Sequence, residues 1–117
     1  MIIGIGLDIT EIKTIESILT KTPKFVTRIL TKKEKEIMET YSGSRQIEFL
    51  AGRFAAKEAF SKALGTGIGK ECSFQDIEII KENSGKPILY FKGNPINGFI
   101  SITHTKDYAA AQVILQS

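Results

Sequence analysis

The chain has 117 residues, of which 42% are hydrophobic and 25% are charged, and its formal net charge is +3. Because a domain usually has roughly 150 residues, this length predicts a single domain, residues 1–117, and the composition excludes wholesale disorder. The single cysteine, Cys72, excludes an intrachain disulfide and a cysteine-rich zinc site. The longest apolar run, Met1 to Leu7, is too short to cross a bilayer. We therefore expect a soluble, cytoplasmic protein with no membrane partner.

The chain opens with a segment typical of a strand, residues 2–8. In a strand the odd-numbered apolar side chains share one face, whereas Gly4, Gly6 and Asp8 share the other. Two glycines on the face of the only charge leave room for a ligand or for another stretch of backbone. Thr10 is expected to cap a helix that follows, since apolar residues then recur at helical spacing.

Further helices are predicted in the first half of the chain. Thr22-Pro23 is typical of an N-cap followed by the first helical residue, and Thr31 with Glu34 matches the capping box of a third helix. The longest helical pattern covers residues 45–64, is apolar on most sides and ends at Gly65. We expect this helix to be central and largely buried.

The second half of the chain has the pattern of strands, at residues 75–82, 88–92, 99–104 and 108–115. Asn97-Gly98 is a favoured hairpin dipeptide and is expected to form one of the turns. An N-terminal strand, three to four helices and a run of antiparallel strands together predict an α+β fold.

Basic side chains are concentrated in residues 13–35, which hold seven basic and two acidic residues, a net charge of +5. The rest of the chain holds nine basic and eleven acidic residues, a net charge of −2. Clustered charge of this kind favours an anionic partner, and the alternative is a solvated helical face. A basic nucleic-acid-binding domain is a further alternative, but the basic residues are not interleaved with aromatic ones.

A few charged side chains are candidates for chemistry. Glu58 and Lys62 lie one helical turn apart, and an exposed ion pair would explain them without any function. On so apolar a helix, however, charged groups are costly unless they meet ions or each other. Asp8 either caps a helix or joins Glu58 in holding Mg²⁺, which takes one or two protein carboxylates. His104, the only histidine, is either structural or a phosphate contact.

Three segments in this order are together more specific than any one of them. They are IGIGLDI at residues 3–9, RFAAKEAFSKALGTGIG at residues 53–69 and SITHTKDYAAA at residues 101–111. Over essentially its whole length the chain resembles the 4′-phosphopantetheinyl transferases of the small, bacterial holo-[acyl-carrier-protein] synthase type. Thr103 stands where that family more often has serine, a change that keeps the hydroxyl.

The resemblance implies transfer of 4′-phosphopantetheine from coenzyme A to a serine of apo-acyl carrier protein, with Mg²⁺ as cofactor. The other product would be adenosine 3′,5′-bisphosphate. It also implies a homotrimer with active sites between neighbouring subunits. Asp8 and Glu58 match the metal ligands and, with Lys62, the catalytic residues; Glu58 or a water on the metal would be the base. The positions matching the coenzyme A site are Arg53, Lys62, Gly65, His104 and Thr105.

Acyl carrier proteins are strongly acidic, so the resemblance makes residues 13–35 a candidate docking surface. The leading docking candidates are Lys13, Lys21, Lys24 and Arg28. No nucleic-acid partner is expected. A coenzyme A- or nucleotide-binding module without catalysis stays open as an alternative, although the presence of Asp8, Glu58 and Lys62 argues against it.

Overall fold

The structure is a computed structural model that describes all 117 residues, in four α-helices and six strands. Strand β1 (Ile2–Glu11) precedes helices α1 (Ile12–Lys21), α2 (Phe25–Ile29), α3 (Lys32–Met38) and α4 (Ser44–Leu64). A 3-10 turn at Phe74–Asp76 then leads into β2 (Ile77–Lys81), β3 (Pro87–Phe91), β4 (Asn94–Pro95), β5 (Gly98–His104) and β6 (Tyr108–Gln116). All strand pairs are antiparallel, which confirms the predicted α+β class.

The strands form two three-stranded sheets, in the orders β1-β6-β5 and β2-β3-β4. Helix α4 crosses one face of the first sheet. Its first half lies over β5, where a Cβ atom at Gly52 would lie 3.1 Å from Ile102 Cγ2, and its second half lies over β1. The opposite face of that sheet has no helix packed on it and carries exposed apolar side chains along β1.

Close packing of β1 on α4 depends on two glycines. A Cβ atom at Gly6 would lie 1.8 Å from the Ala59 carbonyl oxygen, and one at Gly4 would lie 2.1 Å from the Ala63 carbonyl oxygen. The space that the sequence left open for a ligand or for backbone is therefore filled by helix backbone. This contact sets the end of β1 against the last turns of α4.

The central position of α4 is confirmed. Most of its apolar side chains are buried, and it joins two core clusters, one with the C-terminal strands and one with helices α1 to α3. Gly65 ends the helix with a φ of 92°, a backbone conformation that favours glycine. The predicted capping box of α3, between Thr31 and Glu34, is also present. None of the helices combines the length and apolarity that a membrane span requires.

Two predicted helix caps are wrong. Thr10 stays within β1, because the pairing with β6 continues to Glu11, and its hydroxyl donates to Asp8 Oδ2 at 2.9 Å. The first amide of α1, at Ile12, donates instead to the Asp107 carbonyl at 2.9 Å. Thr22-Pro23 forms a turn between α1 and α2, and α2 begins only at Phe25.

The predicted Asn97-Gly98 hairpin turn is also wrong. The tight turn lies at Lys92-Gly93, between β3 and β4, where both residues have positive φ angles of 51° and 84°. Asn97 lies at the connection between the two sheets, and its side-chain amide donates to the Ser117 carbonyl at 2.9 Å. Contacts with the C-terminus therefore determine the conformation of this dipeptide.

Candidate active site

The end of β1 brings Asp8 and Lys62 together. Lys62 Nζ lies 3.1 Å from Asp8 Oδ1 and also donates to the Leu7 carbonyl at 3.2 Å. The other carboxylate oxygen of Asp8 accepts from the Thr10 hydroxyl. Asp8 is therefore held from both sides, and the ion partner of Lys62 is Asp8, not Glu58.

Glu58 lies one turn before Lys62 on α4 and is half-buried. Burial raises its pKa; the nearby charge of Asp8 raises it further, and Lys62 opposes both effects. Its carboxylate forms no hydrogen bond or ion pair within the chain. We call Asp8, Glu58 and Lys62 the carboxylate–lysine cluster.

The donor set of this cluster fits a magnesium ion. Two carboxylates whose charges repel each other are the kind of oxygen ligands that Mg²⁺ accepts, with its remaining positions left to water and phosphate. Glu58 has no protein partner that an ion would have to displace. The protein supplies two carboxylates rather than a complete cage, which agrees with the absence of any group of three potential ligands.

The loop that follows α4 starts beside this cluster. Gly65 lies three residues after Lys62, and a side chain there would meet nothing within 4 Å. The amides of Gly65 and Gly67 both donate to the Ser61 carbonyl, at 3.0 and 3.1 Å. The start of the glycine-rich loop is therefore fixed to the last turn of α4.

A second group of charged side chains lines an open cleft of about 520 Å³. His104 Nε2 lies 2.8 Å from Glu48 Oε2, and the buried Arg53 places its guanidinium 4.4 Å from the centre of the Phe49 ring. Arg53 Nε has no hydrogen-bond partner. We call this group the arginine–histidine cleft, and its other charged lining residues are Arg45 and Lys81.

Thr105 does not line the cleft. Its hydroxyl accepts from the Tyr108 amide at 3.1 Å and so stabilises the β5–β6 turn next to His104. Arg45 and Glu48, which do line the cleft, were missed by the sequence reasoning. A signal for the arginine was present, because Tyr41, Arg45, Phe49 and Arg53 recur every fourth residue, the spacing of one helical face.

The two groups lie at different ends of α4. Glu48 precedes Glu58 by ten residues, which corresponds to about 15 Å along a helix axis. The cleft is next to β5 at one edge of the first sheet, whereas the carboxylate–lysine cluster is next to β1 at the other edge. A single chain therefore does not unite all the predicted site residues in one pocket.

The predicted docking residues share one region. Lys13 and Lys21 lie on α1, Lys24 precedes α2, and Arg28 lies on α2. All four are exposed, and none forms an ion pair within the chain. Helix α1, which carries Lys13, begins four residues after Asp8.

Comparison with known proteins now identifies the family. Residues 4–113 match the family model described as the 4′-phosphopantetheinyl transferase superfamily. The chain belongs to this family. It is 57% identical to the holo-[acyl-carrier-protein] synthase of Bacillus subtilis (strain 168) over 117 residues, which cover 99% of this chain and 97% of that protein. With the Geobacillus sp. (strain WCH70) enzyme of the same name it shares 54% identity, over 99% and 98% of the two chains.

Solved structures of family members have the same fold. The holo-(acyl-carrier-protein) synthase from Bacillus anthracis str. Ames, in complex with CoA (3′,5′-ADP), matches with a TM-score of 0.88 and 52% identity. That match covers 100% of this chain and 98% of the other. The synthase from Neisseria meningitidis matches over the full length of both chains, with a TM-score of 0.89 and 35% identity.

Proposed function

We propose that this enzyme transfers the 4′-phosphopantetheine group of coenzyme A to a serine of apo-acyl carrier protein, releasing adenosine 3′,5′-bisphosphate. The carboxylate–lysine cluster carries this proposal. The match of the chain to synthases of this name, over nearly its full length, supports it. A cytoplasmic location is proposed as well, because the only cysteine is unpaired and buried, as is usual in reducing compartments.

The reaction needs charge neutralisation and a proton acceptor. Asp8 and Glu58 are the residues that would hold Mg²⁺, and the chemistry it supplies when bound is neutralisation of charge on the diphosphate oxygens. The serine oxygen of the carrier attacks the β-phosphorus, and the bond from that phosphorus to the bridging oxygen breaks. Glu58 takes the serine proton, a role for which its half-buried carboxylate, without a hydrogen bond or ion pair in the chain, is available. Lys62 neutralises the departing phosphate.

The arginine–histidine cleft suits the other end of coenzyme A. Arg45, Arg53 and Lys81 supply positive charge for phosphate groups, and His104 adds a ring nitrogen. Gly65 is the first residue of the loop next to Lys62. Because it has no side chain, a ligand can approach the backbone closely there.

A direct assay tests the function. The protein is incubated with coenzyme A, Mg²⁺ and an apo-acyl carrier protein, and the carrier is analysed by mass spectrometry. We expect the carrier to gain the phosphopantetheine mass, and we expect a chelator to abolish the gain and added Mg²⁺ to restore it. An unmodified carrier in the presence of coenzyme A and Mg²⁺ would contradict the proposal and favour a binding module without catalysis.

Lys13, Lys21, Lys24 and Arg28 are proposed to dock the acidic carrier protein. Their exposure and lack of internal ion pairs support this role, because such cations remain available to an anionic partner. The position of α1, which begins four residues after Asp8 and carries Lys13, supports the same role.

Charge reversal tests the docking surface. The double variant Lys21→Glu/Arg28→Glu is expected to raise the KM for apo-carrier protein about ten-fold or more, because attraction becomes repulsion. The KM for coenzyme A should not change. Lys92→Glu makes the same kind of reversal at the exposed β3–β4 turn and serves as the control. The control should leave the carrier KM unchanged. If the double variant also leaves it unchanged, the basic residues form only a solvated face.

A homotrimer with shared active sites is also proposed. The open face of the first sheet supports it, since Ile3, Ile5, Leu7 and Ile9 of β1 are each 55–64% exposed. A row of apolar side chains, Ile5, Ile114 and Phe99, continues across the three strands. An exposed apolar patch of this extent marks an interface. Cyclic assembly would bring the β1 edge of one subunit to the β5 edge of the next, which would combine the two groups of site residues.

The variant Ile5→Glu tests the assembly. It is expected to reduce the mass in solution, measured by light scattering, from three chains to one, because three carboxylates would be buried together. Transferase activity should fall with the mass, since each site needs two subunits. Asn94→Glu adds the same charge to a strand of the other sheet and should leave both unchanged. A monomeric parent protein with full activity would overturn the proposal.

A further inference from the structure

Lys57 directly precedes Glu58 and is fully buried, although the proposed reaction does not use it. Its ammonium has three acceptors: Glu34 Oε1 at 2.6 Å, the Ile29 carbonyl at 2.6 Å and the Phe74 carbonyl at 3.0 Å. Since an ammonium has three protons, each proton has a partner. The cation therefore joins α4 to the end of α2, the start of α3 and the 3-10 turn before β2.

Glu34 is also fully buried and is saturated with donors. In addition to Lys57, its carboxylate accepts from the Thr31 amide at 2.9 Å and from the Ile79 amide at 2.9 Å. Arg53 is a second, more distant cation, with its Nε 3.9 Å from Glu34 Oε2. The same side chain thus completes the capping box of α3 and ties that helix to β2. The ion pair therefore connects α4 to α2, α3, the 3-10 turn and β2.

Stability alone does not account for this pair. Apolar residues of similar volume commonly replace a buried ion pair with no loss of stability, whereas charged groups carry a desolvation cost. A buried ion pair does, however, impose one specific geometry, because its hydrogen bonds have fixed directions. Adjacent residues on a helix point about 100° apart, so the hydrogen bonds that hold the Lys57 side chain also fix the direction of Glu58.

The pair also holds the far end of the loop that follows the carboxylate–lysine cluster. The loop begins with the amides of Gly65 and Gly67 bound to the Ser61 carbonyl. It ends at Phe74, whose carbonyl accepts from Lys57 and whose ring stacks on Phe54 with 5.5 Å between the centroids. Helix α4 therefore anchors both ends of residues 65–73.

We propose that Lys57 and Glu34 are positioning residues for the transferase reaction. The ion pair fixes the rotation of α4 about its axis, so that Glu58 faces Asp8. It also holds the far end of the loop formed by residues 65–73, which begins beside Lys62. This inference rests on the role that the proposed function gives to Glu58. It assigns to the pair no contact with coenzyme A or with the carrier.

Steady-state kinetics and thermal melts of three variants test the inference. Lys57→Met should lower the melting temperature strongly, because the buried Glu34 carboxylate then keeps only Arg53, whose Nε is 3.9 Å away, in place of the ammonium at 2.6 Å. The double variant Glu34→Met/Lys57→Met should recover most of the melting temperature, since the one cation left without its anion, Arg53, lines the open cleft and lies against the Phe49 ring. Its kcat should nevertheless stay at least about ten-fold below the parent value, with the KM for the carrier unchanged, because Glu58 and the loop are no longer held. Leu89→Ala, a core variant in β3, controls for lost stability and should keep its kcat.

Recovery of both melting temperature and kcat in the double variant would overturn the inference and leave the pair a structural element only. If the double variant does not fold, Glu34→Gln decides, since it keeps the side-chain shape and removes the charge. A lower kcat at unchanged carrier KM supports positioning, and a lower melting temperature with full kcat contradicts it. Failure of the proposed function has a different signature, because the parent protein would then not modify the carrier, or Glu58→Gln would remain active.

Discussion

Replacing Glu58 by glutamine is expected to lower kcat/KM by about 10³-fold while the protein stays folded. The amide cannot accept the serine proton and is a weaker ligand for Mg²⁺ than a carboxylate. The fold should tolerate the change because the Glu58 side chain has no hydrogen bond or ion pair within the chain to lose. The substitution also removes the repulsion between Glu58 and Asp8, so stability without metal should be equal or slightly higher.

Carrier modification and thermal melts with and without Mg²⁺ measure this variant. The parent protein should melt at a higher temperature when Mg²⁺ is added, because the ion binds the folded state, and the variant should lose most of that shift. Glu39→Gln makes the same chemical change at an exposed carboxylate after α3 and should alter neither result. Near-normal turnover by the Glu58 variant would remove this residue from the mechanism.

Features set by neighbouring residues in the chain could be predicted from the sequence. The capping box at Thr31 and Glu34 and the end of α4 at Gly65 depend on local hydrogen bonds and on a local φ angle. The alternation along β1 likewise placed Gly4, Gly6 and Asp8 on one face. The α+β class followed from the order of these elements.

Features set by contacts distant in sequence could not be predicted in the same way. Lys62 pairs with Asp8, which is 54 residues away in the chain. Glu58, one helical turn from Lys62, was the nearer candidate for its ion partner. The His104–Glu48 pair joins a strand to a helix that lies far from it along the chain. The family resemblance could name Arg53, His104 and Thr105 as one set, but only coordinates distinguish cleft-lining residues from a turn residue.

The surroundings of the two glycines in β1 show how packing decides between alternatives that the sequence leaves open. Spacing alone allowed either a ligand or backbone beside Gly4 and Gly6, and the helix α4 takes that space. This choice has a functional consequence, because the close approach of β1 and α4 is what places Asp8 next to Lys62. A core contact and a site contact are therefore parts of one arrangement.

Gly6→Ala is consequently expected to affect both stability and metal binding. The added Cβ would lie 1.8 Å from the Ala59 carbonyl oxygen and 2.8 Å from the Ala63 amide nitrogen, and neither backbone atom can move without bending α4. Overpacking of this severity should lower the free energy of unfolding by about 3 kcal/mol or more, measured by denaturant titration. If β1 shifts away from α4 to relieve the clash, Asp8 moves with it, two residues along the strand.

The Mg²⁺ concentration for half-maximal activity distinguishes a positional effect from a loss of folded protein. A smaller folded fraction lowers the maximal rate without changing that concentration, whereas displacement of Asp8 from Glu58 should raise it several-fold. Leu89→Ala is the control, because it lowers the stability from a core position in β3, a strand that neither carries Asp8 nor pairs with β1. If Gly6→Ala binds Mg²⁺ as the parent does, the end of β1 adjusts independently of its contact with α4, and the glycines serve the core alone.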